Sequence, residues 1–185
     1  MDLYYSKESK SQLSRYENVG YLSDPHKTRS QTGYVFTYGG TTISRRLVKQ
    51  TMVAAYSNHS EIIVIHEASC KSVWLRSMIQ YIQETYGLPS VKGNAIKLHE
   101  DNIACIAQIK WWFVKDDRTK HISLKFFYTH ELQKKGEIDV KQIRSCNNLA
   151  DLFTKALPST TLKKLRYDIG MQRLRDLPFK MLKKS

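Results

Sequence analysis

The chain is short of the residues that staple, span or punctuate. Its three cysteines, Cys70, Cys105 and Cys146, lie far apart with no CxxC pair. That excludes a disulfide framework and a zinc knuckle, and it leads us to expect three buried or inert thiols in a reducing compartment. No run of about 18 apolar residues occurs, so a membrane-spanning helix is disfavoured. The opening MDLYYSKESK has no apolar core, which disfavours a secretion signal and leaves cytosol or nucleus. With 8 Gly and 4 Pro in 185 residues there is no low-complexity segment, and no internal repeat is visible. Acid is also scarce: 17 Asp and Glu face 30 Lys and Arg, leaving a net charge of +13.

What is present is enough apolar side chain for a core. Hydrophobic residues make up 41%, with Tyr 11, Phe 6 and Trp 3, so the chain is globular and its length suits one domain. The positive charge points to a polyanionic partner, nucleic acid first and an anionic membrane surface second. Residues 156–185 alone carry +6; a basic tail that merely keeps the chain soluble is the plainer explanation.

Periodicity orders the elements. Residues 14–21, 33–44 and 45–55 have strand composition, with Gly39-Gly40 at a hairpin or bulge, and form a three-strand antiparallel meander. Ile62, Ile65, Ala68, Ser72, Leu75, Ile79, Ile82 and Tyr86 recur at helical steps, and Gly87 and Pro89 stop the helix. A short strand with Ile96 and Leu98 inward, helical character at 103–112, a charged loop at 113–123 and a helix ended by Gly136 follow. A strand at 137–144 and two closing helices complete the chain. The order β-β-β-α-β-α-α-β-α gives an α/β class: a mixed sheet covered by helices.

Three carboxylates occupy comparable places. Glu61 follows SNHS in the first turn of the long helix, Asp101 ends the IKLHE strand, and Asp151 opens the helix after Asn148. Each has a capping explanation, Asn58 with Glu61 and Asn148 with Asp151 having cap spacing, and Asp101-Asn102 preceding a helix. Together they gather where strand ends and helix starts form one crevice. Clustered acids repel unless a cation binds, and hard oxygen ligands suit Mg2+ or Mn2+. Two such ions could clamp the oxygens of a phosphodiester displacement. No small-molecule cofactor is called for.

The stretches YLSDPHKTRSQTGYVFTYGGTTIS, SNHSEIIVIHEASCKSVWLRSMI, HEDNIACIAQ, DRTKHISLKFF and NNLADLFTKALP closely resemble the ribonuclease H region of copia-type retrotransposon polyproteins, particularly plant ones. The resemblance runs from about Leu3 to Leu177. It implies a ribonuclease H-like fold with a mixed five-stranded sheet over 1–158, and a basic helix with a loose tail over 159–185. It implies cleavage of the RNA strand of an RNA–DNA hybrid with two Mg2+ ions held by four acids. By motif, three of these fall on Glu61, Asp101 and Asp151, and the fourth, on the first strand, falls on Asn18. The DRTKHIS match suggests Arg118, Lys120 and His121 near the substrate backbone, although a solvated turn explains them equally well. Arg46 stands where the family usually has tryptophan.

Asparagine offers a carbonyl oxygen and no charge, so the resemblance leads us to expect strongly reduced cleavage. Glu17 should face away from Asn18 by strand alternation, and Asp24 should lie beyond the strand. Trp111-Trp112 is expected as core packing in preference to base stacking. The competing function is a binding module that grips nucleic acid through phosphate contacts without cutting. Met1 and the lysine-rich end favour a free-standing product over a polyprotein fragment, with a domesticated host protein and a pseudogene product as further possibilities.

Overall fold

The computed structural model describes residues 2–3, 12–24, 29–51, 57–89, 95–111 and 120–172. Strands β2 (Leu13–Asp24), β3 (Arg29–Tyr38) and β4 (Thr41–Lys49) form the antiparallel meander. Gly39 and Gly40 turn β3 into β4 with φ of 59° and 81°, the two positive angles that a tight hairpin turn requires. Helix α1 (Ser57–Thr85) crosses over to β5 (Ile96–Glu100), parallel to β2. Helices α2 (Ile103–Trp111) and α3 (Lys120–Lys134) lead to β6 (Ile138–Gln142), parallel to β5. The sheet order is β4-β3-β2-β5-β6. The short α4 (Asp151–Thr154) and α5 (Ser159–Asp168) follow. A two-residue pair, β1 (Asp2–Leu3) with β7 (Met171–Gln172), is too short to leave a pattern in the sequence.

The sheet carries helices on both faces, and alternation decides what each strand gives to each. Arg15 and Glu17 point towards α1, where Arg15 reaches Ser69 and Ser72. Tyr16 and Asn18 point towards α4 and α5. The α1 side is the larger core, with Ile62, Ile65, Leu98, Ile109, Phe126 and Ile138 buried, each contributing roughly 1.5–3 kcal/mol. On the other side Leu149, Leu165 and Ile169 seat α5, and the Thr42 amide donates to the Ile169 carbonyl at 3.2 Å.

Four expectations change. Asp24 closes β2 and does not lie beyond it. Trp111 is 80% exposed, because α2 buries Cys105, Ile106 and Ile109 and turns its last residue outward; Trp112 lies outside the described residues. Cys105 is buried, whereas Cys70 and Cys146 are exposed. Lys120 and His121 open α3, so 120–123 are helical where a loop was expected, while 113–119, Arg118 among them, lie outside the described residues.

Candidate active site

Asp151, buried at the start of α4, is where the chain converges. A 3-10 turn at Ser145–Asn147 precedes it. Asn148 then anchors the segment to the sheet: its amide donates to the Glu17 carbonyl at 2.7 Å, and its Oδ1 accepts the Ala150 amide at 3.2 Å. These two bonds of Asn148 fix the turn that presents Asp151 to the middle of β2. There Asn18 Nδ2 donates to Asp151 Oδ1 at 2.6 Å and to Thr154 Oγ1 at 2.7 Å. Ser145 Oγ donates to Asp151 Oδ2 at 3.3 Å. Lys155, one helical turn on, sets its ammonium 3.1 Å from each Asp151 oxygen and 4.0 Å from Asp101 Oδ2.

The close approach of α4 depends on Gly33, which pairs with Asn18 across the meander. A Cβ there would collide with the Thr154 methyl group. The TGYVF motif therefore supplies the room in which Asn18, Thr154 and Asp151 meet.

Glu61 arrives from the other face. It is the fifth residue of α1, so the first turn holds no acid, and it is 8% exposed. Asp101 follows directly on β5. Capping of α2 falls to Asn102, whose Oδ1 accepts the Cys105 amide at 3.1 Å, leaving the Asp101 carboxylate to face Lys155. Burial raises the Glu61 pKa, and the charges of Glu17, Asp101 and Asp151 raise it further, against a lowering by Lys155. Burial raises Asp151 as well, opposed first by Lys155. The charges of Asp101 and Asp151 thus act on Glu61, and Asn18 is hydrogen-bonded to Asp151.

Two further acids are buried here: Glu17, which the sequence places only on the face away from Asn18, and Glu100, which the sequence reading passed over. Glu17 faces away from Asn18 yet stands next to Glu61, because Glu61 descends on that same face. It pairs with Arg15 at 3.0 Å, both side chains being fully buried. Burial pushes Glu17 up to about 7 against the pull of Arg15. Glu100 accepts the Asn102 amide at 2.8 Å and is raised well above the ordinary carboxylate range by burial, Glu61 and Glu17. The signal was available: Glu100 continues the inward series of Ile96 and Leu98, and Arg15 and Glu17 are two residues apart on one strand.

The donor set, as arranged, does not fit a divalent ion. Both Asp151 oxygens are engaged by an amide, a hydroxyl and an ammonium, and the first-strand position presents a nitrogen where a ligand oxygen is needed. Among the described residues no three His, Cys, Asp or Glu side chains surround a point that could hold a metal.

No protein-family profile matches the chain. It is 26% identical over 162 residues to a retrovirus-related Pol polyprotein of a Nicotiana tabacum transposon, covering 86% of this chain and 11% of that protein. It is 23% identical over 172 residues to the Pol polyprotein of an Arabidopsis thaliana transposon, covering 93% and 11%. A Saccharomyces cerevisiae Ty1 Gag-Pol polyprotein is 27% identical over 164 residues, covering 85% and 8%. The chain therefore spans about a tenth of the length of these polyproteins. Among solved structures it is similar to the N-terminal ribonuclease H domain of a Mycobacterium tuberculosis protein, with a TM-score of 0.52 and 12% identity over 85% of this chain and 98% of that one. It is also similar to prototype foamy virus protease-reverse transcriptase, with a TM-score of 0.50 and 15% identity over 91% and 22%. The chain has the ribonuclease H fold, and its homologues are retrovirus-related Pol polyproteins of transposons.

Proposed function

We propose that this chain is a retrotransposon-derived ribonuclease H domain that binds RNA–DNA hybrid and has lost most of its capacity to cut the RNA strand. The observation that carries this reading is the 2.6 Å hydrogen bond from Asn18 to Asp151, inside a ribonuclease H fold with Glu61 and Asp101 still at the cleft. In this reading the family's Mg2+ or Mn2+ pair lacks one anionic ligand, and site affinity depends on ligand charge. Binding does not need those ions. A net charge of +13 favours a phosphate backbone through counterion release, with Arg118, Lys120 and His121 as its nearest contacts.

Hybrid binding measured across a salt series, with cleavage assayed in Mg2+ and Mn2+, tests both halves. We expect affinity to fall steeply with salt and wild-type cleavage to be far slower than that of Asn18→Asp. Salt-independent binding removes the electrostatic half. Cleavage by wild type as fast as by Asn18→Asp, and abolished by Asp101→Asn, removes the other.

A further inference from the structure

The hydrogen-bonding state of Asn18 is fixed by its neighbours. Thr154 Oγ1 commits its proton to the Ala150 carbonyl at 3.2 Å, so towards Asn18 it can only accept. The Asp151 carboxylate also only accepts. Both amide hydrogens of Asn18 are therefore used, one on each, and no flipped orientation serves. An aspartate at this position would put carboxylate oxygen 2.6 Å from Asp151 Oδ1, where the amide nitrogen now lies. Two anions that close stay together only around a cation or a shared proton.

We infer that Asn18 and Lys155 form a built-in substitute for a divalent ion. The amide replaces repulsion between β2 and α4 with a hydrogen bond, and the ammonium bridges Asp151 towards Asp101. Lys155 is the group a metal must displace to reach Asp151. The site is then held together by protein-borne groups alone, and the domain's stability is indifferent to Mg2+ and Mn2+. This rests on placing Asn18 and Asp151 in the remnant acid site, and it concerns metal affinity and stability with no nucleic acid present. Loss of hybrid binding would overturn the proposed function and leave this inference standing.

The test uses the full chain as wild type, Asn18→Asp, Lys155→Met and the double variant, with thermal unfolding in EDTA and in excess Mn2+ and calorimetric Mn2+ titration. Wild type is expected to unfold at the same temperature in both. Asn18→Asp should unfold lower in EDTA and recover in Mn2+. Lys155→Met keeps the Asn18 hydrogen bond and folds, and it should bind Mn2+ about tenfold more tightly than wild type, because a competing positive charge has gone. The double variant should bind most tightly of all. A rise in wild-type Tm with Mn2+, equal Mn2+ affinities for wild type and Lys155→Met, or an Asn18→Asp protein as stable as wild type in EDTA overturns the inference.

Discussion

Replacing Arg15 with methionine separates charge from packing in the buried acid cluster. Arg15 is fully buried and donates to Ser69 Oγ at 3.2 Å, Ser72 Oγ at 3.3 Å and Glu17 Oε1 at 3.2 Å. Both serines keep their own bonds to the Ile65 and Ala68 carbonyls at 2.7 Å, so neither is orphaned. Methionine retains much of the apolar volume. The hydrogen bonds lost amount to about 2–3 kcal/mol at roughly 1 kcal/mol each. The charge effect falls on Glu17, which burial holds at about 7 against an ordinary 4.5, Arg15 pulling the other way. Without Arg15 its pKa rises further.

A carboxyl raised in the folded state binds a proton that the unfolded chain releases. Its contribution is fully present below the unfolded pKa and is lost, at about 1.4 kcal/mol per pH unit, as pH rises towards the folded pKa. Wild type and variant lose it in parallel from 4.5 to about 7. Above that the wild-type Glu17 ionises and its loss levels off, while the variant continues to lose stability. Urea unfolding followed by tryptophan fluorescence should show a destabilisation of about 2–3 kcal/mol between about pH 5 and 7, growing to about 4–5 kcal/mol near pH 8.5. A loss that does not change across this range, or that shrinks at high pH, refutes the argument.

Two further predictions concern the approach of α4 and the substrate face. Gly33→Ala forces Thr154 away from β3 and should cost about 1–3 kcal/mol, as overpacking does; thermal unfolding checks it, and an unchanged Tm contradicts the close approach. Arg118→Ala and Lys120→Ala should each weaken hybrid binding and lower the slope of log affinity against log salt by about 1; a slope unchanged in both variants, measured by fluorescence anisotropy, removes them from the phosphate contacts.

The meander was legible through β-branched and aromatic composition with Gly39-Gly40 at its turn, α1 through apolar residues recurring at helical steps, and β5 through the alternating burial of Ile96 and Leu98. Glu61, Asp101 and Asp151 were singled out by position and motif resemblance, and the fold brings the charges of Asp101 and Asp151 to bear on Glu61. The face of Glu17 was legible from strand alternation but its burial was not, since an acid at an inward strand position contradicts the apolar expectation and makes sense only once Arg15 is seen beside it; Glu100 was missed for the same reason. Lys155 lay hidden within a helix-end pattern, and only the fold shows its ammonium near both Asp151 and Asp101. Trp111 misled because helical position, which sequence fixes poorly near an end, decides whether an aromatic faces core or solvent.

In the proposed function, one amide-for-carboxylate exchange at position 18 separates gripping from cutting. The most direct measurement follows wild type and Asn18→Asp on the same RNA–DNA hybrid in Mn2+, with binding and single-turnover cleavage recorded together. Comparable hybrid affinity is expected, with RNA cleavage at least about a hundredfold faster in Asn18→Asp, the scale expected when a missing electrostatic component of a site is restored. Equal cleavage rates for the two proteins would contradict the proposed function.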